Sequence, residues 1–188
     1  MRRLFAIAII LGATLVSCKT KEQIQLERVV SKTVSGSNSF TKMEVAETIL
    51  LSDVVKENLI LHKSNLSWSN SFYDAFKDSE QEDDKLTASE YKERISKEQN
   101  MITFLESIED SYPDLFNSVA YTVCKLSYLH PGPEGKPILD LCFGRFNKDG
   151  RLVAFKPTGT SKWEVLEDYC PIPGCKSPHI HIFETPDD

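Results

Sequence analysis

Hydrophobic positions change their period once along this chain. Before about Ser118 they fall at helical spacing, and after it they alternate. Thr41-x-x-Glu44 has the form of a capping box, in which the Thr hydroxyl and the Glu carboxylate satisfy backbone N–H groups at a helix start. Val45, Ala46, Ile49, Leu50, Val54, Val55 and Leu59 follow it and predict a helix to about His62, although the same residues also suit a strand. Trp68, Phe72 and Phe76 stand four apart and predict a second helix over Leu66–Lys77. Such a stripe either packs or offers rings to a ligand, and packing is the commoner use. Asp78–Lys85 is acidic and reads as a solvated loop. Thr87-x-x-Glu90 repeats the capping form, and Tyr91, Ile95, Ile102, Leu105 and Ile108 mark the clearest amphipathic face. Tyr112-Pro113 limits that helix, because the residue before a proline is pushed out of helical geometry.

Val119–Tyr128 is rich in strand formers, and Leu129–Pro137 is full of breakers. Ile138–Phe146 reads as the return strand, Asn147-Lys-Asp-Gly150 as a tight turn, and Arg151–Lys156 as a third strand. Trp163–Tyr169 and Pro178–Glu184 are shorter strand candidates. The expected class is α+β, with two or three helices followed by an antiparallel meander. At fold level this order is similar to small cystatin-like or NTF2-like modules, and fold does not fix function.

The first residues have a different character. Met1-Arg2-Arg3 is basic, and the apolar run Leu4–Val16 is shorter than the ~20 residues needed to cross a bilayer. It has the length of a signal-peptide core and ends in Leu15-Val16-Ser17-Cys18. This resembles the lipobox of bacterial lipoproteins, over residues 1–18 only. The resemblance implies a diacylglyceryl group on the Cys18 thiol, cleavage of residues 1–17, and acylation of the new amino terminus, for example by palmitate. Lys19, where an Asp would favour inner-membrane retention in enterobacteria, points to the outer membrane of a Gram-negative cell. Residues 18–41 then read as lipidated Cys and tether, polar apart from a few scattered aliphatics, with room for a short helix or edge strand in the first half and a break at Ser35–Ser39. Residues 42–188 read as one domain.

Losing Arg2 and Arg3 with the signal takes the formal charge from -6 to about -8. An acidic domain suits nucleic acid poorly, since phosphate binding replaces counterions with basic groups. Besides Cys18 there are Cys124, Cys142, Cys170 and Cys175, and four cysteines in an exported chain read as disulfides. Folding the first hairpin symmetrically about Pro133 sets Cys124 opposite Cys142, at a separation a disulfide accepts. Cys170 and Cys175 flank a Pro/Gly loop and form the second candidate pair. The rival reading of the C-terminus is a metal site of Cys170, Cys175, His179 and His181, whose spacing matches no usual zinc pattern. Motifs for nucleotide loops, metalloproteases and nucleophile elbows do not occur, so the sequence calls for no cofactor and names no catalytic residue. The expectation is therefore a lipid-anchored bacterial cell-envelope protein that binds a protein, peptide or glycan. A small envelope hydrolase, metal-assisted or not, and an envelope-stabilising or inhibitory protein are the alternatives.

Overall fold

The computed structural model describes residues 19–34, 36, 39–157 and 159–175. Cys18, His179, His181 and the Pro178–Glu184 strand candidate lie outside them. The architecture is α+β. In chain order the elements are α1 (Lys21–Thr33), β1 (Ser39–Phe40), β2 (Glu44–Leu50), α2 (Leu51–Phe76), α3 (Glu82–Glu106), α4 (Ile108–Ser111), α5 (Pro113–Phe116), β3 (Val119–Pro131), β4 (Pro137–Asn147), β5 (Leu152–Pro157) and β6 (Glu164–Val165). All strand pairs are antiparallel, in the order β1-β3-β4-β5-β6, with β2 also paired to β3 on the β1 side.

The tether reading of Lys19–Lys42 needs correction. Lys21–Thr33 is a helix whose start is capped by Thr20, with Gln23 N donating to Thr20 Oγ1 at 3.1 Å. Leu26 and Val30 are fully buried, one turn apart on the same stripe. They pack on Cys124, Leu126, Tyr128, Cys142, Phe146, Leu152 and Phe155, which makes one of the two cores. Gly144 permits the close fit, because a Cβ there would sit 2.8 Å from Leu152 Cδ1 and 3.0 Å from Leu26 Cδ1. The aliphatics that looked scattered in the sequence are a two-turn stripe.

The second correction concerns Thr41–His62. Glu44–Leu50 is an edge strand, and the helix starts at Leu51. Thr41 caps nothing; its backbone N–H and hydroxyl engage Ser127 of β3. β-Branched Val45, Thr48 and Ile49 suit the strand, and Asp53 Oδ2 accepts from Leu50 N at 3.2 Å where α2 begins. The two predicted helices over 45–77 merge beyond it into α2, one helix of 26 residues. Its partner α3 starts at Glu82 rather than at Thr87, with Glu82, Asp83 and Asp84 in the first turn, where the helix dipole favours carboxylates. Among the described residues, no helix is long and apolar enough to cross a membrane.

Only the bases of α2 and α3 reach the sheet. Leu51, Val54 and Val55 of α2 and Leu105 of α3, with Ile108 of α4, join Ile49, Tyr121, Val123, Val153 and Ile172 in the second core, on the face opposite α1. Further out the two helices pack on each other. There Phe72 stacks on Tyr91 with centroids 5.1 Å apart, while Trp68, 4.3 Å from Phe72, keeps 51% of its surface exposed. The expected stripe is thus mainly a helix–helix seam with one ring at its margin.

Candidate functional site

β3 and β4 alternate faces, so the α1 side receives Cys124, Leu126, Cys142 and Phe146, and the opposite side receives Val123, Phe143 and Arg145. α2 and α3 cover only part of that opposite face. The uncovered part is a cleft of about 270 Å³, lined by Ala46, Glu47, Val123, Phe143, Arg145, Lys156 and Trp163. Its floor is apolar, and three charged side chains converge on it.

A backbone irregularity places the carboxylate. Val45 pairs with Cys124, and Glu47 pairs with Val123, so Ala46 is an extra residue, a β-bulge. Because a one-residue slip reverses the facing of every later side chain, the bulge turns Glu47 to the Val123 side. In an unbroken strand Ala46 would hold that place and Glu47 would face α1. A comparable shift occurs between β4 and β5, where Arg145 pairs with Ala154 and Phe146 with Leu152.

Arg145 is 1% exposed. Its guanidinium lies 4.3 Å from the Trp163 ring centroid and 5.4 Å from that of Tyr121, so two aromatic faces take part in holding the charge. Burial pushes the Arg145 pKa down to about 10, against the pull of Tyr121 and Glu47. Burial also pushes the Tyr121 hydroxyl well above the usual phenol range. Trp163 brings a further feature: its Nε1–H is buried and has no hydrogen-bond partner among the described residues. Lys156 stands beside Phe143 in the β4–β5 pair. Along β4 the same face continues to Leu141 and Leu139, which are 39% and 63% exposed, with Leu129 paired to Leu139. The cleft therefore opens onto an apolar strip.

The cysteines fall differently from their expected pairing. The β3–β4 turn is symmetric about Glu134, not Pro133, because Gly132 N bonds to Lys136 O around a short 3-10 turn at Pro133–Gly135. The pairs are consequently Leu126 with Cys142 and Cys124 with Gly144. This corrects the expected direct opposition. Cys124 and Cys142 are diagonal neighbours on the α1 face, a relation that sets Cα atoms about 7–8 Å apart, beyond ordinary disulfide reach. Both are buried thiols, and Cys142 Sγ donates to Leu126 O at 3.4 Å. Burial pushes the Cys142 pKa up to about 12. Cys170 and Cys175 are both half-buried thiols at the ends of the Pro/Gly loop; burial pushes the Cys170 pKa up to about 12, with the neighbouring Cys175 adding to the rise.

Two histidines stand beside carboxylates. His130 has Nε2 3.1 Å from Asp140 Oδ2 and Nδ1 3.2 Å from Pro131 O, so both nitrogens face oxygens and neither faces a nucleophile. His62 Nδ1 meets Glu98 Oε2 at 2.5 Å, but its Nε2 is buried between α2 and α3. Neither pair borders the cleft. Sequence reasoning missed Glu47, Arg145, Lys156 and Trp163. One signal was present, a lone arginine inside the apolar return strand between Phe143 and Phe146. Comparisons with protein-family models, curated proteins and solved structures gave no match to this chain.

Proposed function

We propose that this chain is a lipid-anchored protein of the bacterial cell envelope that works by binding, and that the sheet-face cleft is its ligand site. The observation that carries the reading is the convergence of Arg145, Lys156 and Glu47 on an apolar floor that runs out along Leu141 and Leu139. Binding sites characteristically combine an apolar lining with a few converging polar groups. An apolar floor with Lys156 beside it suits a ligand with an apolar body and an anionic end, such as a peptide segment ending in a carboxylate. Strand addition at the β2 edge is disfavoured, because Glu44, Glu47 and the bulge at Ala46 guard that edge. The anchor keeps the cleft in the compartment of an envelope partner.

The test is capture from solubilised envelopes with the wild-type protein and with Lys156→Glu. A partner held by the wild type and lost with the variant supports the cleft. A partner held equally by both removes the cleft from the reading, and no partner with either removes binding itself.

A further inference from the structure

The folded domain starts directly behind Cys18 in the sequence. Thr20 is already the cap of α1, so only Lys19 separates it from Cys18. Two residues span about 7 Å when extended. α1 is no loose spacer, since Leu26 and Val30 are fully buried. Its first turns are also clamped from two sides. Gln23 Nε2 donates to Thr41 O at 3.1 Å, ahead of β2. On the other side Gln25 Nε2 donates to Gly150 O at 2.9 Å, and Leu152 N donates to Gln25 Oε1 at 3.1 Å. Lys19 itself pairs with Glu27 at 2.7 Å, which holds the residue next to the anchor against the helix.

We propose that the lipid on Cys18 docks the domain directly on the bilayer in one orientation, with the N-terminal end of α1 and the Asn147–Gly150 turn facing the lipid and the Pro133–Gly135 turn facing away. This rests on the reading of Cys18 as the lipidated residue. The partner is a lipid surface, and the surface presented to it is the end of the domain that carries Lys19, Lys21 and Lys148 together with Glu22 and Asp149, so the short link to Cys18 sets the orientation and net charge does not. The opposite end is marked by Gly36 at the α1 C-terminus, where a Cβ would stand 2.9 Å from the Pro131 ring. α1 has 13 residues, so the two ends are about 20 Å apart along its axis.

The experiment uses the full chain, processed in a bacterium that acylates lipoproteins. A fluorescent amino acid replaces either Lys148 or Lys136, which is 81% exposed beside the distal turn. The protein is placed in phosphatidylethanolamine/phosphatidylglycerol vesicles that carry an energy acceptor on their headgroups. Energy transfer at position 148 should exceed that at 136 by at least about twofold, given the ~20 Å offset. A 12-residue Gly/Ser insert between Lys19 and Thr20, with a reach of about 20 Å, should bring the ratio close to one. An equal or reversed ratio without the insert overturns the orientation, and so does a ratio that the insert leaves unchanged. The mass of the amino-terminal peptide separates the two layers of the argument. Acylated Cys18 with equal transfer refutes the docking alone, whereas an unmodified Cys18 refutes the anchor and the docking with it.

Discussion

Leu26→Ala gives the sharpest test of whether α1 belongs to the fold. Leu26 is 0% exposed, and its Cδ atoms lie against the bare backbone of Gly144. Truncation removes buried methyl groups and leaves a cavity that the flanking Leu152 and Phe155 fill only in part, because β5 holds them in the sheet. Such changes cost about 2–5 kcal/mol, and the tight fit at Gly144 places this one near the middle, about 3 kcal/mol. For a domain of this size each kcal/mol moves the melting temperature by about 2–4 °C, so a fall of about 6–12 °C is expected. The assay is urea unfolding of a chain that starts at Lys19. The midpoint should fall while the slope stays constant. Ile24→Ala is the control, since Ile24 on the same helix is 45% exposed and should cost less than about 0.5 kcal/mol. A loss below about 0.5 kcal/mol for Leu26→Ala would refute the reasoning and return Lys21–Thr33 to the status of a tether.

Under oxidising conditions one disulfide should form, Cys170–Cys175, so alkylation of the unfolded, unreduced protein should tag Cys124 and Cys142 only; tagging of all four, or of none, contradicts this. Burial raises the Cys142 pKa to about 12 from the ordinary thiol value of 9, so its contribution is complete below pH 9 and is lost as pH rises towards 12. Urea midpoints should therefore drop between pH 9 and pH 11, and by less in Cys142→Ala, whereas equal drops would show that this thiol is not the cause. His62→Leu leaves Glu98 without its partner and should cost about 1–3 kcal/mol, while His62→Leu with Glu98→Leu should be nearly neutral; additive losses in the double variant would refute the coupling.

The class of fold was legible because it depends on the period of hydrophobic positions, which changes near Ser118, where the long hairpin strands begin, although β1 and β2 lie before that point. β3, β4, the Asn147–Gly150 turn and β5 fall close to their expected places, since alternation and turn chemistry are local. What failed was non-local. Glu44–Leu50 suited helix and strand alike in the sequence, and the partner that β3 offers decided between them. Cys124 and Cys142 missed each other because the register depends on how Gly132–Lys136 closes, and a shift of the symmetry point by one residue moves each pairing by two. The cleft was hidden for the same reason. Glu47 faces Arg145's side only through the bulge at Ala46, and Trp163 reaches Arg145 from beyond β5. The lone arginine of β4 could have prompted a search, but its aromatic neighbours come from other segments.

The chain has two tryptophans, Trp68 at the margin of the helix seam and Trp163 in the cleft. Their two indole N–H resonances in nitrogen-15-labelled protein therefore report the two regions separately. Titration with a peptide and small-molecule extract of the envelope should shift the Trp163 signal and leave that of Trp68 in place. A shift of Trp68 alone, or no shift of either, would contradict the assignment of the cleft as the binding site.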